Sequence, residues 1–207
     1  YLESMLEDVI GDAECPVKHQ TSYLLNQIDY LKSRLIALEV DAVFNQKELE
    51  DEVFSKYGWS IKIPWGYTVI RDSAEQQIFW IGRDLPFRWL AVQWEDGLLF
   101  SDSLSVDSYA RQFPLKYFEN IRYTDYKFKV EPSTFNDFGS WKISGLWESI
   151  EEAQGGPFIS HLFYDEVADR TYFVHTMIFH PGRDKFLLLK QVDIVAKTFY
   201  TSNQKVE

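Results

Sequence analysis

Two histidines, His161 and His175, flank a turn-forming acidic stretch at Asp165–Arg170. If the flanking residues pair as a hairpin, a register centred on Ala168 sets the two imidazoles opposite each other on one sheet face. There they could share a metal ion or pass a proton. A register shifted by one residue sends them to opposite faces. His180, Asp165 and Glu166 lie near the ends of the same segments, yet no tight ligand spacing such as His-Glu-x-x-His occurs. A hydrolase or metal-dependent enzyme using His161 and His175 is therefore one reading. Packed or solvated histidines are the other.

The remaining chemistry-bearing residues are weaker candidates. Ser160 and His161 are neighbours in a strand pattern, so they point to opposite faces and cannot pair as nucleophile and base. Cys15 sits between Glu14 and Pro16, with Asp12 nearby, where neighbouring carboxylates raise a thiol pKa. Glu148, Glu151 and Glu152 could serve as acid–base carboxylates on a glycan, but a charge run of this kind usually faces water. Gly155-Gly156-Pro157 could expose backbone N–H groups to an anion. No Lys-Ser/Thr follows, and the reading kept here is a bend or bulge entering a strand, made with a cheap positive φ. The chain also carries 7 Trp. Most are expected in the core, with an aromatic groove for a sugar, lipid or peptide as the functional alternative. Trp65, in the bend Pro64-Trp65-Gly66, is the one expected to be exposed. The candidate binding surface is thus Trp65, Gly155, Gly156, His161 and His175, with no catalytic, metal-ligating or cofactor-binding residue assigned.

The elements that would position these groups follow from periodicity. Leu2, Leu6, Val9 and Ile10 share a helix face, as do Leu24, Ile28, Leu31, Leu35 and Leu38. A third helix begins after Asn45 and stops at Gly58. From Trp59 the period falls to two. Strands are expected at residues 60–63, 67–71, 77–81 and 89–94, then a helix over 105–113 ended or kinked by Pro114. Further strands follow at 128–130, 141–149, 158–164 and 171–179, and a helix over 184–200. Short connections favour antiparallel hairpins over βαβ crossovers. The fold class is α+β: N-terminal helices, then a largely antiparallel sheet with a helix between the strand groups and a C-terminal helix packed on it. A helical lead-in at residues 1–57 and an α+β domain at 58–207 are expected to form one compact unit.

Composition narrows the partners. The 207 residues carry 21 Lys+Arg against 32 Asp+Glu, a net charge of −11. Binding nucleic acid depends on cations displacing counterions from phosphates, so nucleic acid is set aside, and an anionic bilayer surface is disfavoured. With 1 Cys no intrachain disulfide can form. No stretch approaches the ~18 apolar residues of a membrane span.

Two stretches resemble a known family. The first comprises Phe44-Asn45, Tyr57-Gly58, Ile63-Pro64, Gly66-Tyr67 and Phe79-Trp80-Ile81. The second comprises Gly145-Leu146-Trp147, Gly155-Gly156-Pro157-Phe158-Ile159-Ser160-His161, Asp165-Glu166 and Pro181-Gly182-Arg183-Asp184-Lys185. Together, over roughly residues 20–200, they resemble the domain-of-unknown-function family four-eight-three-seven, predicted lipoproteins of Bacteroidetes-type bacteria. The resemblance implies an exported protein of the cell envelope, anchored by a lipid on a cysteine upstream of Tyr1. It supplies no activity, cofactor or catalytic residue. A coarser likeness, of strand order and terminal helix, is to the Mog1/PsbP-like α/β/α sandwich. The leading expectation is a non-enzymatic envelope domain that binds an envelope protein, lipid or glycan through an edge strand or an aromatic surface.

Overall fold

A glycine marks the point where helical periodicity gives way to alternation. In the computed structural model, which describes residues 46–84 and 86–202, helix α1 (Lys47–Tyr57) closes at Gly58. Gly58 takes φ +78°, and its N–H donates to the Phe54 carbonyl, the left-handed ending that glycine adopts without a Cβ penalty. The chain divides into residues 1–38 and 39–207. The helices expected around Leu2–Ile10 and Leu24–Leu38, and Cys15, lie outside the described residues.

Ten strands follow. β1 (Trp59–Ser60) pairs with β10 (Tyr200–Thr201) as a separate two-stranded ladder. The main sheet holds β2 (Thr68–Ser73), β3 (Ile78–Arg83), β4 (Phe87–Asp96), β5 (Ile121–Tyr123), β6 (Lys129–Phe135), β7 (Phe138–Ser149), β8 (Gly155–Asp165) and β9 (Arg170–Phe179). Its order is β2-β3-β4-β9-β8-β7-β5, with β6 also on β7, and every described pairing is antiparallel. Helix α2 (Ser103–Tyr117) joins the two strand groups, and α3 (Phe186–Ala196) follows β9. The α+β class with an antiparallel sheet is therefore the observed architecture.

Alternation along the strands sends residues to two cores. Phe79, Val92, Trp94, Tyr172 and Val174 face α1 and α3, meeting Val53, Tyr57, Val192 and Val195. Ile78, Trp80, Ala91, Phe173 and Met177 face α2, meeting Val106, Ala110, Phe113 and Tyr117. Both faces of the sheet are covered, which is why its central strands read as near-continuous apolar runs. Trp59 shows how the aromatic content is used. Its indole N–H is buried without an acceptor among the described residues, a cost of ~1–3 kcal/mol. Phe199 stacks on it at 5.5 Å, Tyr57 at 5.8 Å, and Trp94 meets it edge-on at 5.4 Å. At ~0.5–1.5 kcal/mol per aromatic pair beyond the area buried, the three contacts are of the size needed to offset the lost hydrogen bond.

Several boundaries differ from expectation. Asp102 caps α2: its carboxylate accepts from Ser105 N–H at 2.8 Å, so the helix starts before Ser105. It also runs through Pro114 to Tyr117, because Phe113, Pro114 and Tyr117 are all buried and their packing compensates for the missing N–H. α3 ends at Ala196, a turn follows, and Tyr200, the last residue of the expected helix, opens β10 instead.

Candidate functional site

The hairpin joining β8 to β9 decides the fate of the two histidines. Asp165 pairs with Arg170, leaving a four-residue loop in which Asp169 takes φ +49° and the Asp165 carboxylate accepts from Val167 and Ala168 N–H groups. This register places Ser160 opposite His175 and His161 opposite Val174. His161 and His175 therefore lie on opposite faces, and the register centred on Ala168 is not the one adopted. They cannot share an ion or a proton.

Each histidine has its own partners. His161 Nε2 donates to Asp193 Oδ1 at 2.8 Å, and the Phe135 ring packs tilted against the imidazole at 4.6 Å. Lys197 Nζ meets the other Asp193 oxygen at 2.9 Å. Burial alone would push the Asp193 carboxyl up; the His161 hydrogen bond and the Lys197 charge outweigh it and hold the pKa below the usual range. On the α2 face, His175 Nδ1 lies 2.8 Å from Ser160 Oγ and 3.1 Å from the Tyr123 hydroxyl. Rings of Phe113, Phe118, Phe158 and Phe173 surround it, and Nε2 has no partner among the described residues. Burial pushes its pKa down to about 3, and pushes the Tyr123 phenol well up. Ser160 and His175 thus form the serine–histidine contact that adjacency denies to Ser160 and His161. Both are 0% exposed, and a nucleophile needs an open approach. Among the described residues, no three His, Cys, Asp or Glu side chains gather as a metal site.

Gly155 and Gly156 stand inside β8, opposite Glu148 and Trp147, and neither has a positive φ. The expected bend is absent. The reason for glycine here is close approach: a Cβ on Gly156 would run into the Ile178 carbonyl oxygen. That oxygen accepts the Trp147 indole N–H at 3.2 Å. A second tryptophan uses the same device. Trp89 lies directly across from Gly82, and a Cβ there would meet Trp89 Cδ1 at 2.6 Å and Ile70 Cδ1 at 2.5 Å. Both indoles lie over a glycine on the α2 face of the sheet, the cross-strand cover an aromatic gives to a bare backbone.

These two indoles help wall the groove that sequence reasoning raised only in general terms. It encloses about 390 Å³ between the sheet and the end of α2. Trp80, Trp89, Trp147, Tyr117 and Phe118 form its aromatic walls, and Arg71, Glu119, Asn120, Glu152 and Gln154 its polar ones. A smaller hollow of about 60 Å³, reaching Phe87, Met177 and Phe179, shares Trp89, Trp147 and Gln154 with it. Trp80 packs edge-on against Trp89 at 4.9 Å and tilted against Phe118 at 4.7 Å. The Arg71 guanidinium lies 6.0 Å from the Trp80 ring centre and donates to the Tyr117 carbonyl at 3.2 Å. Trp65 lies outside this groove's lining, in its own bend, and is 69% exposed. His161 and His175 do not line the groove either.

The segment from the end of α2 to the end of α3 carries most of these features, and it can be compared with known families. Residues 115–198 resemble the family described as Domain of unknown function (DUF4837). This DUF4837-like segment contains Trp147, the Gly155-Gly156 pair, both histidines and α3. The first stretch quoted for the resemblance, residues 44–81, falls outside the match. No curated protein matches the chain. Similar solved structures include the Ran-binding protein Mog1p of Saccharomyces cerevisiae, at 10% identity and TM-score 0.49, over 70% of this chain and 90% of that one. LpqN of Mycobacterium tuberculosis, a protein involved in cell envelope biogenesis, matches at 10% identity and TM-score 0.41, over 68% of this chain and 81% of that one. A protein of Bacteroides thetaiotaomicron matches at 12% identity and TM-score 0.40, over 72% and 47%. At these scores the likenesses carry no argument about function. Among the described residues, no helix is long and apolar enough to cross a membrane.

Proposed function

We propose that this domain is a non-enzymatic binding domain of the cell envelope whose aromatic groove holds a glycan. The single observation that carries the reading is the lining of the 390 Å³ groove, which divides between aromatic rings and amide, carboxylate and guanidinium groups. A sugar ring has the same division. Its C–H faces carry partial positive charge and suit the negative face of an indole, while its hydroxyls would accept from the Asn120 and Gln154 amides and donate to the Glu119 and Glu152 carboxylates. Few convergent polar groups over an apolar floor is the usual composition of a small-molecule site.

The edge strand is the weaker route to a partner. β2 ends the described sheet, but its pairing with β3 slips between Val69 and Arg71. Such a bulge twists an edge away from further pairing. The hydrolase alternative needed His161 and His175 together, and the observed register gives it no support. The envelope location rests on the family resemblance. Subcellular fractionation of cells that make the protein natively tests the location. Titration of chito-, cello- and malto-oligosaccharides into the protein and its Trp89→Ala variant tests the groove. Binding to the wild type that Trp89→Ala weakens supports the reading; equal affinity in both forms contradicts it.

A further inference from the structure

Arg83 and Arg88 face each other directly across the β3–β4 hairpin. Like charges directly opposite on a strand pair are destabilising, and a carboxylate beside them would be the ordinary remedy. The chain has 32 Asp+Glu to spare for 21 Lys+Arg. Among the described residues, however, neither arginine makes an ion pair. Arg88 is half-buried. Its Nη1 donates to Gln191 Oε1 at 3.1 Å, while its Nε–H is sealed from solvent with no acceptor among the described residues. Burial pushes its pKa down and the Arg83 charge adds to that push, against the opposing pull of the buried Tyr67 hydroxyl beside it, which offers a dipole but no compensating charge. An unpaired guanidinium held next to a second one is a costly arrangement that an anion would relieve.

The adjoining bend completes the site. Gly66 takes φ +86°, and a Cβ on it would stand 3.4 Å from Arg83 Nε, so the bend packs against that guanidinium. Trp65, the residue before it, is the most exposed tryptophan of the chain at 69%. Planar guanidinium forks bind phosphate and carboxylate oxygens bidentately. Two of them side by side match a phosphate monoester, with about −1.5 to −2 charge at neutral pH, better than a singly charged carboxylate.

We propose that Arg83 and Arg88 form an oxyanion site for a phosphate monoester, with the Trp65 indole taking the ring or apolar part of the same molecule. The site is separate from the aromatic groove and stands whether or not the groove holds a glycan.

The test is calorimetric titration at fixed ionic strength with inorganic phosphate, phenyl phosphate and benzoate. The expected order is phenyl phosphate tightest, then phosphate, with benzoate at least about tenfold weaker than phenyl phosphate. Arg83→Gln, at an exposed position, should leave the fold intact and weaken both phosphates about tenfold or more. Trp65→Ala should remove only the advantage of phenyl phosphate over inorganic phosphate. Unchanged phosphate affinity in Arg83→Gln, benzoate equal to phenyl phosphate, or no heat with wild type up to roughly 50 mM phosphate would each overturn the proposal.

Discussion

Mild acid should destabilise this protein through one buried imidazole. His175 is sealed among phenyl rings, and burial pushes its pKa down to about 3, against ~6.5 for an unfolded histidine. The folded pKa is depressed, so the unfolded state binds more protons below pH 6.5, and stability falls as pH falls. Both forms are largely neutral at pH 7, where the penalty is small. At pH 5 the unfolded imidazole is protonated and the folded one is not, a loss of ~2 kcal/mol that grows toward pH 3. Urea titrations at pH 7 and pH 5 measure it, with an unchanged m-value confirming that the same surface unfolds. His175→Asn keeps an acceptor near Ser160 and Tyr123 and cannot titrate. It should cost ~1–2 kcal/mol at pH 7 for the space it vacates and lose most of the slope between pH 7 and pH 5. A wild type whose stability is flat over that range, or an Asn variant that keeps the full slope, refutes the reasoning.

Asp193 should act in a lower window. Its depressed carboxyl contributes stability above the unfolded value of ~3.9 that is lost as pH falls through the folded pKa, so Asp193→Asn should reduce the acid loss below pH 4 while leaving the pH 7 to pH 5 loss intact in urea titrations. Gly156→Ala should destabilise by ~3 kcal/mol or more, since the new methyl meets the Ile178 backbone oxygen and separates β8 from β9 near the Trp147 hydrogen bond; thermal melting reads this directly. Asp102→Ala removes the cap of α2 and should cost ~1 kcal/mol by the same measurement. Gly82→Ala pushes only on side chains, Trp89 and Ile70, so it should be tolerated in stability while altering tryptophan fluorescence and weakening any groove ligand.

Much of the architecture is legible in local pattern. The change of period at Gly58, the alternation of Phe79 and Trp80 between two cores, and the opposed directions of Trp89 and Trp94 all follow from side-chain geometry on a pleated strand. What local pattern leaves open is set by distant partners. β5 and β10 have three and two residues, too few to alternate, and exist because β7 and β1 pair with them. The histidine register turned on one residue: a four-residue loop closed by Asp169 in the left-handed region, where an odd loop would have brought the imidazoles together. Gly155 and Gly156 read as a bend because glycine tolerates positive φ. Their actual constraints, the Trp147 carbonyl oxygen for Gly155 and the Ile178 carbonyl oxygen for Gly156, come from the two neighbouring strands. The groove was least legible, since its walls come from β2, β3, β4, the end of α2, β7 and the β7–β8 loop, and no short segment carries its signature.

The seven indole N–H groups provide the most direct test of the groove as a glycan site. Trp80, Trp89 and Trp147 wall it, Trp59 and Trp94 lie in the opposite core, and Trp65 stands apart. In a nitrogen–proton correlation spectrum each indole gives one resonance, assignable by single Trp→Phe variants. Titrating a soluble digest of bacterial cell-wall glycan should shift the Trp80, Trp89 and Trp147 signals in a saturable manner and leave Trp59 and Trp94 in place. Saturable shifts confined to Trp65, or shifts of Trp59 and Trp94 without those of the groove, would contradict it.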